Sequence, residues 1–416
     1  MEGKNTIRNE IGSKEKEPVR RILKGMPEYF DSIEENKERE KNESVRYAML
    51  NLPSTCVLRC TKCARYDARE AAEFESASPL TLEEQKKFLD FTFEIGAREM
   101  VIVGEGEPTQ ANNWKKLYEP IIEHAAEKGM GTVLFTTAFF LTKAQAEFCR
   151  DHNVTVIVSL DSLENDRYYH LYGIDKWGEG NIFEQAAKAE IKTPADHVKK
   201  RIEMLADVYK GTESVSKDGR QITRLGINTT ISLANEGELD DLRRFAHEHD
   251  MYFVANYLMK EGRAGSKYEN YAELVGDDEN WERHQRLAQE FSDSGGHSSI
   301  EGGVCNYFGD GIACDSRGYL LTCGYASATA HESENFRQIQ KVEELLLLVE
   351  RNRKAYHLWS EAIGRTPSCP LRDEDYAGFV EWVNKERLMD RFIYTEDKQE
   401  RIAIVEAHRQ FASSKT

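Results

Sequence analysis

The segment Pro53-Ser-Thr-Cys56-Val-Leu-Arg-Cys60-Thr-Lys-Cys63 carries three cysteines at C-x₃-C-x₂-C spacing. Three thiolates this close can wrap one metal centre from a single loop. A structural zinc site usually takes four ligands, often as two separated pairs. A cubane iron–sulfur cluster has four irons, so three cysteines leave one iron without a protein ligand. An open iron is what a cluster needs to bind a substrate or cofactor directly. The other cysteines are Cys149, Cys305, Cys314, Cys323 and Cys369. Met1 to Val45 contains no apolar core of an export signal. The expected compartment is therefore a reducing cytoplasm, where clustered cysteines more often bind metal or do redox work than form disulfides.

Further short motifs follow along the chain. They are Val101-Ile-Val-Gly104-Glu105-Gly106-Glu107-Pro108, Thr136-Thr137-Ala138, Ser159-Leu-Asp161-Ser162 and Gly262-Arg263-Ala264. The elements that position them are short apolar runs. The pattern predicts strands over Tyr47–Leu52, Glu99–Val103, Gly131–Thr136, Val154–Leu160, Leu225–Ile231 and Tyr252–Leu258. Helices fill the gaps. Thr81 and Glu84 form a capping box opening one that stops at Gly96. Others are expected over Trp114–Lys128, Thr142–Arg150, Ala195–Tyr209 and Glu236–Glu248. Strand–helix alternation repeated six times predicts an α/β fold: a partial (β/α)6 parallel barrel. Ligands of such sheets sit at the C-terminal strand ends, where these motifs fall.

The charge balance is acidic, with 73 Asp+Glu against 56 Lys+Arg in 416 residues and a formal charge of −17. It argues against broad nucleic-acid or anionic-membrane binding. No apolar run approaches the ~20 residues of a membrane span. Residues 1–45 read as a polar N-terminal arm, with a short helix around Pro18–Tyr29. Residues 46–290 read as the barrel. The polar stretch Ser292–Ser299 reads as a linker, and residues 386–416 as a C-terminal helical tail. His247-Glu-His249-Asp250 resembles a metal set only superficially. On a helix the two imidazoles point roughly 200° apart. Cys149, on a helix, reads as core.

With three cysteines placed just after the first strand of an α/β barrel, the chain resembles the radical S-adenosylmethionine superfamily. The Gly104–Pro108 segment resembles the family's glycine–glutamate motif, and Ser159–Asp161 is similar to its serine–aspartate signature. Thr136-Thr137 falls where the family has a small polar turn. The resemblance implies that Cys56, Cys60 and Cys63 hold a [4Fe–4S] cluster. Its open iron would be chelated by the amine and carboxylate of S-adenosylmethionine. Gly104, Glu105, Gly106, Glu107, Thr136, Thr137, Ser159 and Asp161 are the implied cofactor-binding residues. Glycine at 104 and 106 would permit close backbone approach, and Glu107 or nearby carbonyls would hold the cofactor's ammonium. Lys62 departs from the pattern, because the residue before the third cysteine is usually aromatic and packs near the adenine.

The C-terminal cysteines carry a second resemblance. Cys305, Gly318 and Cys323 are similar to the opening of the SPASM and twitch cluster domains, with a β-hairpin turning at Asp315-Ser-Arg-Gly318. Cys369 would close the site after a helix near Val342–Ala362. Cys314 is either a fourth ligand or a buried strand cysteine. One auxiliary iron–sulfur cluster over residues 300–385 is the expectation, in a small hairpin-plus-helix domain.

The implied reaction is one-electron cleavage of S-adenosylmethionine to methionine and a 5′-deoxyadenosyl radical, which takes a hydrogen from the substrate. The implied electron donor is of flavodoxin or ferredoxin type. The expected substrate is a small polar metabolite, such as an amino sugar, a cyclitol or a nucleotide-like compound. The reason is that residues 1–45 look too short for a peptide-recognition domain. Peptide maturation is the alternative within the same chemistry. A non-catalytic iron–sulfur electron carrier is the alternative outside it. Asn228, Tyr257 and Arg263, near expected strand ends, are the candidates for a direct catalytic role.

Overall fold

The computed structural model describes residues 45–63, 78–102, 106–174, 193–215, 219–258, 269–293, 311–321, 323, 334–365 and 373–414. The expected arm at 1–44, Cys305, Cys369, Arg263, Gly104 and Glu105 lie outside these residues. Six parallel strands form where the apolar runs predict them. They are β1 (Tyr47–Leu50), β2 (Glu99–Ile102), β3 (Gly131–Thr136), β4 (Val154–Ser159), β5 (Leu225–Ile231) and β6 (Tyr252–Tyr257). The crossover helices between and after them include α1 (Leu82–Glu94), α2 (Glu119–Glu127), α3 (Lys143–Asp151), α4 (Asn165–Tyr172), α5 (Pro194–Tyr209), α6 (Leu239–Glu248) and α7 (Asp278–Phe291).

The helix boundaries have local causes. The Thr81–Glu84 capping box opens α1, and Thr142–Gln145 forms a second that opens α3. In each, the threonine hydroxyl accepts from a backbone N–H that has no intrahelical partner.

The expected C-terminal hairpin also forms, as β7 (Gly311–Cys314) and β8 (Leu320–Leu321). At its turn Gly318 takes a φ of +95°, a conformation that favours glycine. This hairpin extends the main sheet. β7 lies parallel to β1, with Leu50 opposite Cys314. The hydrogen-bonded order is β8-β7-β1-β2-β3-β4-β5-β6, open at both edges, so the partial barrel is not closed by hydrogen bonds.

Because side chains alternate along a strand, the two sheet faces have separate cores. Ala48, Leu50, Met100, Ile102, Leu134, Val156, Val158, Ile227 and Phe253 pack with the crossover helices. Tyr47, Met49, Val101, Val133 and Ile157 point the other way, into the lumen. Their partners come from α8 (Val342–Ile363), α9 (Glu374–Lys385), α10 (Met389–Tyr394) and α11 (Lys398–Ser413). Tyr356, Trp359, Tyr376, Phe379 and Phe392 form that contact. The last helices therefore build the lumen floor.

This packing gives a direct expectation. Phe379 is fully buried, edge-on to Phe392 with 4.9 Å between ring centroids. Phe379→Ala should cost about 3–5 kcal/mol in equilibrium urea unfolding. A loss under about 1 kcal/mol, the size of an ordinary substitution, would contradict a core role for the C-terminal helices.

Candidate functional site

β1 ends at Leu50 and the chain runs straight into the cysteine loop. The loop's first half is held by the segment after β2. Asn113 Nδ2 donates to the carbonyls of Thr55 and Glu107, both at 2.8 Å. The Glu107 N–H donates to the Thr55 carbonyl at 3.1 Å. The Val57 N–H reaches Gln110 Oε1 at 3.0 Å, and Ser54 and Tyr118 share a hydroxyl–hydroxyl bond of 2.8 Å. Tyr118 ends a π-helical turn, Trp114–Tyr118. Such turns recur at functional sites.

The second half of the loop leans on α4. The N–H groups of Arg59 and Thr61 donate to the carbonyls of Tyr172 and Leu171, at 3.2 and 3.0 Å.

Two glycines make these contacts possible. A Cβ on Gly106 would lie 2.5 Å from the carbonyl oxygens of Ser54 and Thr55. A Cβ on Gly173, which ends α4 at a φ of +58°, would collide with the Arg59 carbonyl. The close-approach role expected of Gly106 thus falls on the cysteine loop itself. Gly173 was not among the expected residues.

Cys56, Cys60 and Cys63 are each half-buried. Among the described residues, no three His, Cys, Asp or Glu side chains converge as one metal ion would require. Three thiols on one loop would leave one iron of a [4Fe–4S] cluster without a protein ligand, and the donor set fits such a cluster. Burial pushes the Cys60 thiol well above its usual range. The neighbouring Cys63 thiol adds to this, and the Lys62 ammonium pulls the other way. Iron held there would supply the compensation that a buried thiolate requires.

At the ends of β2 and β3, Glu107 is 2% exposed and its carboxylate is enclosed by threonines. Oε1 accepts from the N–H and hydroxyl of Thr109, at 3.0 and 2.5 Å, and from the Thr136 hydroxyl. Oε2 accepts from the N–H and hydroxyl of Thr137, at 2.8 and 2.7 Å. In this arrangement Glu107 braces two strand ends together.

Across the lumen, Asp161 is fully buried. Its Oδ1 accepts from the Thr230 N–H at 2.7 Å, and its carbonyl accepts from Asn235 Nδ2 at 2.8 Å. Its other oxygen pairs with the Lys62 ammonium. The Ser159 carbonyl accepts from the Tyr172 hydroxyl at 2.8 Å.

Register sets which strand-end residues face the lumen. Ser159 lies opposite Asn228, and Thr230 opposite Asn256. Asn256 Nδ2 donates to Asn228 Oδ1. Ser159, Asn228 and Thr230 are partly exposed, whereas Ile227 and Thr229 on the opposite face of β5 are buried. Tyr257 belongs to the helix-side core and meets Trp281 edge-on at 5.6 Å. The structure thus brings Asn228 into the lumen and leaves Tyr257 outside it. Asn256 and Thr230 are lumen residues that the sequence pattern did not single out, and Lys62, noted only as a departure beside the third cysteine, reaches the lumen as well. Strict alternation through Asn228 reaches Thr230, and the pairing of β5 with β6 then sets Asn256 beside it.

The C-terminal cysteines divide. Cys323 is buried in the lumen-side core. Cys314 is fully buried in the helix-side core, with its Sγ 3.6 Å from the Asp315 carbonyl. Burial pushes its thiol well up, and Asp315 adds to that. Cys314 is therefore not brought together with Cys323. Cys149 is also core, its thiol raised by burial. His247 and His249 diverge as expected: one binds Asp293 at 2.9 Å, the other the Phe245 carbonyl at 2.8 Å.

Residues 50–216 match the family model described as the Radical SAM superfamily. Its members are enzymes that use a [4Fe–4S] cluster and S-adenosylmethionine. No curated protein matches the chain.

Solved structures similar to it include SuiB of Streptococcus suis bound to the precursor peptide SuiA. The identity is 15%, the TM-score 0.49, and the match covers 75% of this chain and 70% of that one. Native anSMEcpe with bound AdoMet is 12% identical at a TM-score of 0.48, covering 88% of this chain and 100% of that one. HydG, described as a maturase of the [FeFe]-hydrogenase, is 10% identical at a TM-score of 0.41, covering 92% and 87%. Among the described residues no helix is long and apolar enough to cross a membrane.

Three substitutions test this geometry. Gly106→Ala should displace the cysteine loop and lower iron incorporation several-fold. Gly237→Ala, where a Cβ meets nothing within 4 Å, should leave it unchanged. Equal iron loading in both variants would contradict the close-approach role. Glu107→Gln places an amide against hydroxyl and N–H donors, and should cost about 1–3 kcal/mol in urea unfolding of the iron-free chain.

Proposed function

We propose that this chain is a radical S-adenosylmethionine enzyme that acts on a small polar metabolite at the lumen mouth. The observation that carries the reading is the arrangement at the C-terminal strand ends. A three-cysteine loop lies beside a ring of amide and hydroxyl side chains, above an apolar floor. Cys56, Cys60 and Cys63 would hold the cluster. The segment Gly104–Glu107, with Thr136, Thr137 and Ser159, would line the S-adenosylmethionine site. When bound, the cluster supplies the electron that splits the cofactor into methionine and a 5′-deoxyadenosyl radical able to take hydrogen from a substrate C–H bond.

The residues of the chain do the positioning. Asn113, Gly106 and Gly173 fix the loop against two strand–helix units. Glu107 keeps the β2 and β3 ends in register. Asn228, Asn256 and Thr230 offer donors and acceptors without net charge, which suits hydroxyl and amine groups on a substrate. The floor of Tyr356, Trp359 and Phe379 seals the lumen from below and excludes water.

In this reading Cys305, Cys323 and Cys369 would hold an auxiliary cluster, which would supply either an electron acceptor for the substrate radical or an anchor for the substrate, and Cys314 is core. A flavodoxin- or ferredoxin-type protein supplies the electron for the first cluster.

The test is anaerobic reconstitution of the wild type and of a Cys56/Cys60/Cys63→Ala variant, followed by S-adenosylmethionine and dithionite. About eight irons in the wild type, about four in the variant, and 5′-deoxyadenosine only from the wild type are expected. About four irons in the wild type with cleavage would remove the auxiliary cluster. Iron loading without cleavage, in an assay where another member of the superfamily cleaves the cofactor, would overturn the enzyme reading in favour of an electron carrier. Retention of a leader peptide in a pulldown would overturn the small-metabolite reading.

A further inference from the structure

Lys62 sits between two of the three cysteines, and its side chain turns back across the lumen. Its ammonium pairs with Asp161, which is fully buried, and donates to Thr230 Oγ1 at 3.4 Å. It also lies 5.4 Å from the centre of the Tyr172 ring, within cation–π range. The Lys62 side chain is 11% exposed. Asp161 is fixed by Thr230 and Asn235, which stand at and just beyond the end of β5. This ion pair thus joins the cysteine loop to the far side of the partial barrel.

Charges in such a place are poorly screened by solvent and salt. An ammonium next to ligating thiolates stabilises the more negative, reduced state of a bound cluster. An unpaired buried carboxylate does the opposite.

We propose that Lys62 and Asp161 form an internal charge pair that tunes the first cluster, with Lys62 raising its reduction potential and Asp161 restraining that effect. Lys62 is thus a positioning residue for the loop and an electrostatic one for the cluster. The inference rests on the reading of Cys56, Cys60 and Cys63 as cluster ligands.

The experiment measures the midpoint potential of the first cluster by EPR-monitored titration with dithionite and mediators. It uses the reconstituted full-length chain without S-adenosylmethionine. The variants are Lys62→Met, Lys62→Arg, Asp161→Asn and Lys62→Met/Asp161→Asn. Lys62→Met should lower the potential, Asp161→Asn should raise it, and the double variant should fall between them. Lys62→Arg should stay near the wild type.

A purely mechanical latch would not give shifts of opposite sign. Two single variants that shift the potential in the same direction, or not at all, would overturn the proposal. If Lys62→Met fails to fold, Asp161→Asn against the double variant carries the test. The double variant should have the lower potential, and equal values would overturn the proposal. A wild type that binds no iron at Cys56, Cys60 and Cys63 would instead overturn the cluster reading beneath it.

Discussion

Backbone contacts too close for a side chain hold the cysteine loop where the chemistry needs it. Gly106 lies against the carbonyls of Ser54 and Thr55, and Gly173 against the carbonyl of Arg59. These contacts grip the loop on both sides of Cys56. Asn113 then satisfies the Thr55 and Glu107 carbonyls with one amide. The loop hydrogen-bonds to little regular structure of its own, so its shape is borrowed from the segment after β2 and from the end of α4. A loop placed this way can present three cysteines without a second cysteine pair to anchor it.

The strand ends around that loop are joined by two buried carboxylates. Glu107 joins β2 to β3 through three threonines. Asp161 joins β4 to β5 through the Thr230 N–H and to the loop through Lys62. Buried carboxylates are costly without such partners. Here they hold parallel strands in position at the end where ligands bind, while the apolar floor below is filled by the C-terminal helices. Rigidity at the mouth and closure at the floor arise from different parts of the chain.

Much of this was legible from residue order. Short apolar runs placed all six parallel strands, and Thr81 with Glu84 placed the start of α1. The cysteine spacing pointed to a cluster with an open iron. What escaped depended on contacts between distant residues. Nothing local marks Gly173 as the neighbour of Arg59, or Lys62 as the partner of Asp161. Tyr257 was one residue out of phase: its neighbour Asn256 faces the lumen, and a shift of one residue changes the face. The pairing of β7 with β1, which sets Cys314 on the helix side of the sheet, is a long-range register that no short motif encodes.

The central claim is that the Cys56–Cys63 loop carries a cluster whose open iron binds S-adenosylmethionine. The most direct measurement is EPR of the anaerobically reconstituted, dithionite-reduced chain, recorded before and after adding the cofactor. The account predicts a reduced [4Fe–4S] signal whose g values shift when S-adenosylmethionine is added, and loss of that shifting signal in the Cys56/Cys60/Cys63→Ala variant. A cluster signal indifferent to the cofactor, or one that persists unchanged in the variant, would contradict it.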